Sequence, residues 1–379
     1  MIQLPAVGQS AAALLAATLV ALISTPVVRS LAFRMGAVDV PRDARRMHDH
    51  PIPRMGGLAI FFGFILSVLV FLPLTPELRG MLLGAVVIVI LGILDDIFSL
   101  PALPKFFVQI GAALIAVLHG NCIRFLSNPN IFSSEPFWEL GWLAIPITVF
   151  WIVGITNAVN LIDGLDGLAC GVSTISSMTL LVIALSVAEP DVAVLMGALA
   201  GACIGFLPYN LNPAKIFMGD TGSTFLGFVL AVVSIQGLFK YATIISFAVP
   251  FLMLGLPIFD TCFAILRRVS HGQSPMKPDR GHIHHRLIDM GFTQKQAVAV
   301  LYVISAILGL SAVVLTTIGV VRAMLFLLAL CAAGAVAGKL FLDHANTSGS
   351  QPEAGDRRSH TTQIAGNDNF FGEEDRSDK

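Results

Sequence analysis

The sequence predicts an all-α fold, a polytopic transmembrane helical bundle of about eleven spans. Three observations lead there. Hydrophobic residues make up 55% of the 379 positions and charged residues only 12%, about half the charged share of an average soluble domain. That is too little charge to cover a water-exposed surface, and the mean hydropathy of +0.82 agrees. Third, apolar runs of about 20 residues, the length that crosses a bilayer, recur along the chain.

The runs fall at 9–30, 56–74, 79–97, 104–120, 141–160, 168–188, 191–208, 222–239, 241–266, 296–318 and 321–342. The first is a span rather than a signal peptide. A signal peptide needs a basic stretch before its apolar core, and the first basic residue here is Arg29. Lys and Arg accumulate on the cytoplasmic side of membrane proteins. With the N-terminus outside, the inner loops are 31–55, 98–103, 161–167, 209–221 and 267–295. Fourteen Lys and Arg then fall in or beside inner loops and four on the outer side, which makes the C-terminus cytoplasmic. The longest outer loop is 120–140, and Trp138 and Trp142 at its end suit a membrane interface.

Beyond about 344 the apolar runs stop and Asp, Glu, Ser, Gly and Arg dominate. The expected organisation is a transmembrane domain over 1–343 and a disordered cytoplasmic tail over 344–379. The five cysteines (Cys122, Cys170, Cys203, Cys262 and Cys331) form no disulfide or metal pattern and read as packing thiols. A net charge of −1 gives no reason to expect a nucleic-acid partner.

The orientation drawn from charge places every polar cluster on one face. Asp95 and Asp96 close an apolar span, where two carboxylates repel each other and meet the negative end of the helix dipole. A simple interfacial stop is the plainer alternative. The unfavourable placement points instead to a bound cation or proton chemistry, and Lys105 is placed to answer the charge or to hold a phosphate. In Asn160-Leu161-Ile162-Asp163-Gly164-Leu165-Asp166-Gly167, the two glycines suggest a tight turn with backbone close to a ligand. An Asx-turn with a helix cap would need one Asp, and two Asp with an Asn exceed it. Gly219-Asp220-Thr221-Gly222-Ser223 opens a span, with Asp220 or Thr221 as the N-cap. The same position is an anion site, and the two readings are compatible.

The largest inner loop carries Arg280-Gly281-His282-Ile283-His284-His285-Arg286. Three histidines so close raise zinc, yet zinc sites usually add thiolates or a fourth ligand, and no cysteine lies nearby. Imidazoles beside Arg280 and Arg286 suit phosphate oxygens better, with a solvated surface as the plain alternative. The stretch containing Arg46 and His48 is basic beyond topological need and suits a lipid phosphate or anionic headgroups. Asp260, inside a span, is expected to pair with an inner-face arginine. Carboxylates together with phosphates are the usual way to hold Mg2+, and phosphoryl transfer depends on positioning and charge stabilisation. A site at the cytoplasmic interface lets a soluble nucleotide meet a lipid phosphate.

These motifs, with Val38-Asp39-Val40-Pro41 ahead of them, Pro51-Ile52-Pro53-Arg54-Met55-Gly56-Gly57 and Pro257-Ile258-Phe259-Asp260-Thr261 among them and Gly291-Phe292 behind, cover about 250 residues in order. In this the chain resembles the bacterial polyprenyl-phosphate N-acetylhexosamine-1-phosphate transferases, which include the undecaprenyl-phosphate GlcNAc-1-phosphate transferase. The resemblance implies ten or eleven spans in the bacterial cytoplasmic (inner) membrane with the active site facing the cytoplasm. It implies a Mg2+ cofactor, for which Mn2+ can substitute. It also implies transfer of N-acetylhexosamine-1-phosphate, GlcNAc-1-phosphate first, from a UDP-N-acetylhexosamine to undecaprenyl phosphate, with UMP released and a lipid-linked envelope glycan begun. By the same resemblance, Asp95 and Asp96 match aspartates of catalysis and lipid-phosphate activation. Asp163 and Asp166 match a second catalytic carboxylate set near nucleotide and metal, with Asn160 on the substrate side. Asp220, with Asp96, would hold the metal, and His282, His284 and His285 would face the donor pyrophosphate. Two other classes compete. A secondary transporter would show paired broken helices with midplane charges, and the carboxylates here sit at span ends. A non-catalytic membrane scaffold would have no need of intact carboxylate motifs.

Overall fold

A computed structural model describes residues 4–40, 51–127, 137–238, 244–273 and 281–318, with isolated positions between 322 and 329. The described chain is helical with two short hairpins. Its helices are α1 (Leu4–Met35), α2 (Gly57–Phe71), α3 (Pro76–Phe98), α4 (Ala102–Leu118), α5 (Ala144–Leu161), α6 (Leu168–Ser186), α7 (Pro190–Asn210), α8 (Gly219–Leu238), α9 (Ile244–Met253), α10 (Gly255–Ser270), α11 (Ile283–Asp289) and α12 (Gln294–Ile318). Six helices among the described residues are long and apolar enough to cross a membrane. The protein is an all-α polytopic membrane protein.

Local chemistry accounts for both ends of α3. Thr75 caps α3, its hydroxyl accepting from Leu78 N–H, with Pro76 at the first helical position. At the other end Ser99 takes a left-handed conformation and donates its N–H to Asp95 O. The 15 residues of α2 extend about 22 Å, short of a ~30 Å hydrocarbon core.

Packing rests on small residues. In lipid there is no hydrophobic drive between helices, so close backbone approach must supply the contact energy. In α7 the stripe Gly197, Gly201 and Gly205 lies on α1, and a Cβ at these positions would run into the carbonyls of Ser10, Leu14 and Thr18. The facing stripe on α1 is Ala13, Ala17 and Ala21, all fully buried. Thr18 Oγ1 donates across this interface to Gly201 O at 3.0 Å.

Several expectations need correction. The apolar run 241–266 forms two helices, α9 and α10, because Pro257 lacks an N–H and crowds the carbonyl four residues back; that carbonyl belongs to Met253, and the break is at Leu254. The chain also holds two antiparallel hairpins, β1 (Val38–Asp39) with β2 (Ile52–Pro53) and β3 (Phe125–Ser127) with β4 (Phe137–Glu139). Cys170 and Cys203 are buried as expected, but Cys262 is exposed on α10. Trp138 and Trp142 are exposed at the expected outer loop. Most of the eleventh run and the tail 344–379 lie outside the described residues.

Candidate active site

The carboxylate motifs lie at helix ends or in turns that meet at one end of the bundle. A short segment organises this end. Pro53 O accepts from Phe217 N–H, and the N–H groups of Gly56 and Gly57 donate to Phe217 O and Met218 O, each at 2.9 Å. The Pro-Ile-Pro-Arg-Met-Gly-Gly stretch thus pairs with the chain entering α8. Gly92 of α3 lies against the backbone of Thr221, where a Cβ would not fit.

That approach brings Asp96 to the N-terminus of α8. Its Oδ1 accepts Asp220 N–H (2.9 Å), and its Oδ2 accepts Thr221 N–H (3.1 Å) and Thr221 Oγ1 (2.6 Å). A helix N-terminus has unpaired N–H groups and partial positive charge, so a carboxylate stabilises it. The expected cap from within the motif is therefore corrected: the cap comes from α3. Gly219, at φ +72°, leaves room for this carboxylate where a Cβ would collide with it. Asp95 is engaged differently. Its Oδ1 accepts Leu100 N–H at 2.7 Å and its Oδ2 accepts Lys105 Nζ at 2.7 Å. Lys105 also donates to Asp220 Oδ2 at 3.1 Å, so it answers the charge of both carboxylates. Asn160 donates to Asp220 Oδ1 (3.2 Å) and Ser223 Oγ (2.8 Å).

Beside this cluster lies a cavity of about 300 Å³, lined among others by Asn160, Asp163, Asp166, Asp220 and His285. The stretch 162–167 is a turn between α5 and α6. Asp166 accepts from Asn212 Nδ2 (2.9 Å) and Ala214 N–H (3.0 Å) and so ties down the α7–α8 loop. The Asp163 carboxylate makes no hydrogen bond to a described residue. Burial, then the negative charges of Asp220 and Asp96, push its pKa up to about 8, and Arg54 pulls the other way.

Two lining residues escaped the sequence reading, Asp39 and Arg54, whose charged groups approach to 3.8 Å. Their signal was present: both stand within the motifs that carry the family resemblance, and Arg54 ends the stretch that is basic beyond topological need. Arg46, His48 and Arg280 lie outside the described residues.

The histidines are brought to the same end. His282 precedes α11, and its Nδ1 lies 2.7 Å from Asp260 Oδ2. The expected arginine partner of Asp260 is thus corrected to a histidine. The rings of His282 and His284 stack with centroids 5.7 Å apart, and those of His284 and His285 are 4.2 Å apart. Burial, then the neighbouring His285, holds His284 down at about 4, so its ring is neutral at pH 7.

No three His, Cys, Asp or Glu among the described residues converge as a self-sufficient metal cage. Mg2+ does not need one, because one or two carboxylates plus substrate phosphates and water complete its shell. The carboxylates of Asp220 and Asp163 in the cavity lining fit that requirement. The raised Asp163 marks negative charge that a cation would relieve.

Comparison with known proteins places the chain in a family. Residues 78–238 match the model of Glycosyl transferase family 4. A Bacillus subtilis (strain 168) protein described as "Probable undecaprenyl-phosphate N-acetylglucosaminyl 1-phosphate transferase" is 48% identical over 304 residues, covering 80% of this chain and 84% of the relative. The chain belongs to the family of polyprenyl-phosphate N-acetylglucosamine-1-phosphate transferases. A Mycolicibacterium smegmatis decaprenyl-phosphate N-acetylglucosaminephosphotransferase is 37% identical, over 76% of this chain and 77% of its own. A Yersinia pestis undecaprenyl-phosphate alpha-N-acetylglucosaminyl 1-phosphate transferase is 32% identical, over 76% of this chain and 79% of its own. For a member of this transferase family, carboxylates gathered at one end of the helices are the expected centre.

Proposed function

We propose that the protein transfers GlcNAc-1-phosphate from UDP-GlcNAc to undecaprenyl phosphate and releases UMP. The observation that carries this is the convergence of Asp163, Asp220, Arg54 and His285 on one cavity, in a chain of this family. An oxygen of the lipid phosphate attacks the sugar-bearing phosphorus. A new P–O bond forms, the bond between the two donor phosphates breaks, and UMP carries away the electron pair.

This chain's residues divide the work. Arg54 and His285 face the cavity and suit the donor phosphates. Asp163, without a hydrogen-bond partner among the described residues, is the carboxylate free to hold or give up a proton beside the acceptor phosphate. Asp95 is a positioning residue that holds Lys105. Asp96, with both oxygens engaged, is read as the group that places Asp220 rather than as a metal ligand. Mg2+, or Mn2+ in its place, would be held chiefly by Asp220 and would neutralise charge on the phosphates. Eleven spans, an outside N-terminus, a cytoplasmic C-terminus and a cytoplasm-facing site in the bacterial inner membrane complete the proposal. Charge placement supports them.

The test is UMP release by the purified full chain with UDP-GlcNAc, undecaprenyl phosphate and Mg2+. Release that needs both substrates and stops with EDTA is expected. Folded protein that releases no UMP from any UDP-hexosamine would return the transporter and scaffold readings to the front.

A further inference from the structure

We propose that Asp260 is a positioning residue that sets the proton of His282 and thereby aims the histidine turn at the donor. The proposal rests on the donor-side reading of the histidines and deepens it.

Asp260 is 3% exposed and sits in α10 just beyond the proline-broken stretch. A carboxylate in a span is costly, and such groups are paired when they are retained. Its partners among the described residues come from one place. Oδ2 meets His282 Nδ1 at 2.7 Å and Oδ1 accepts Ile283 N–H at 2.8 Å. One buried side chain therefore grips both a backbone donor and a ring nitrogen of the same turn.

The chemistry of the pair decides the tautomer. An ionised carboxylate only accepts hydrogen bonds, so Nδ1 must carry the proton. Nε2 is then the nitrogen with which His282 meets anything else, and a carboxylate behind an imidazole fixes both ring orientation and tautomer. The effect reaches the cavity through packing. His282 stacks on His284 with ring planes 8° apart. His284 in turn is seated on Gly164, where a Cβ would collide with its Nε2. His285, against His284, lines the cavity. Asp260 thus stands behind the turn and the Asp163–Asp166 loop in front of it.

The discriminating variant is Asp260→Asn. Its amide oxygen can still accept Ile283 N–H, so the turn stays anchored. Its NH2 now faces Nδ1, which forces Nδ1 to accept and moves the proton to Nε2. The readouts are 15N histidine spectra of the purified full chain, with His282 assigned from the His282→Gln protein, and steady-state kinetics of UMP release. We expect a protonated Nδ1 in the unaltered protein and an unprotonated Nδ1 in Asp260→Asn. We also expect kcat/KM for the donor to fall about 10–100-fold, as for other groups that orient a histidine. An unprotonated Nδ1 in the unaltered protein overturns the proposal, even if the variant fails to fold. So does full turnover by Asp260→Asn. Should the unaltered protein release no UMP, the transferase reading falls and the spectra still decide the role of Asp260.

Discussion

In the proposed reaction, Asp163 is the residue on which the chemistry turns. Its carboxyl is raised to about 8 by burial and by the charges of Asp220 and Asp96, so below that pH it mostly holds its proton. If the ionised form acts as base, kcat/KM rises with pH through a midpoint near 8 and levels off above it, with bound Mg2+ drawing that midpoint down; loss of an essential acid would give the opposite slope. The Asp163→Asn protein should lose that limb and fall at least ~100-fold in rate, the usual scale of general acid–base catalysis. A pH–rate profile of both proteins checks this, and an unchanged limb in the variant would assign the titration elsewhere. Arg54 gives a second test. It pairs with Asp39 at 3.8 Å and lines the cavity together with Asp163, Asp166 and Asp220. Arg54→Ala should raise the KM for UDP-GlcNAc roughly tenfold or more, the scale of one charged hydrogen bond. A change confined to kcat would contradict a binding role.

At the level of elements, the start of α8 depends on a residue 124 positions away, Asp96. Asp96→Ala removes a charged cap and should cost about 1–2 kcal/mol, seen as a lower midpoint in a detergent thermal melt. It should also lower turnover, because Asp220 sits in the first turn it caps. The α1–α7 contact offers a cleaner test of packing. Gly201→Leu would drive a side chain into the Leu14 carbonyl, whereas a Cβ at Gly8 meets nothing within 4 Å, so Gly8→Leu is the control. The first should lower the melting temperature by several degrees or prevent folding, and the second should not. Equal effects would mean that the glycine stripe does not set this interface.

For the whole molecule, orientation is the open prediction, and single cysteines in a cysteine-free background answer it. Leu74, before α3, is 54% exposed, and Gln273, after α10, is exposed as well. An impermeant thiol reagent on intact cells should label Leu74→Cys and spare Gln273→Cys until the membrane is opened. The reverse pattern would invert the proposed topology.

Much of this was legible in the chain because apolar runs and charges interrupting them are local signals. The spans, the Asp95–Asp96 pair, the Asp163–Asp166 turn, the Gly219–Ser223 start and the histidine turn all announce themselves within a few residues. Their meeting at one end follows from alternating helix direction, so it too could be anticipated. What each carboxylate does could not, because hydrogen-bond partners are chosen by packing. Asp96, whatever else it holds, caps a distant helix. Asp260 looked like an arginine's partner and holds His282. Arg54 stood only as the end of a basic stretch suited to lipid phosphate or headgroups and lines the cavity with Asp163 and Asp220. The sequence by itself determined a membrane bundle, its chemistry and the end where that chemistry gathers, since burial in lipid leaves charged residues few places to go. Only the tertiary structure decided which oxygens are already engaged by N–H groups and which remain for substrate, since that depends on backbones brought together by Gly57, Gly92 and Gly222.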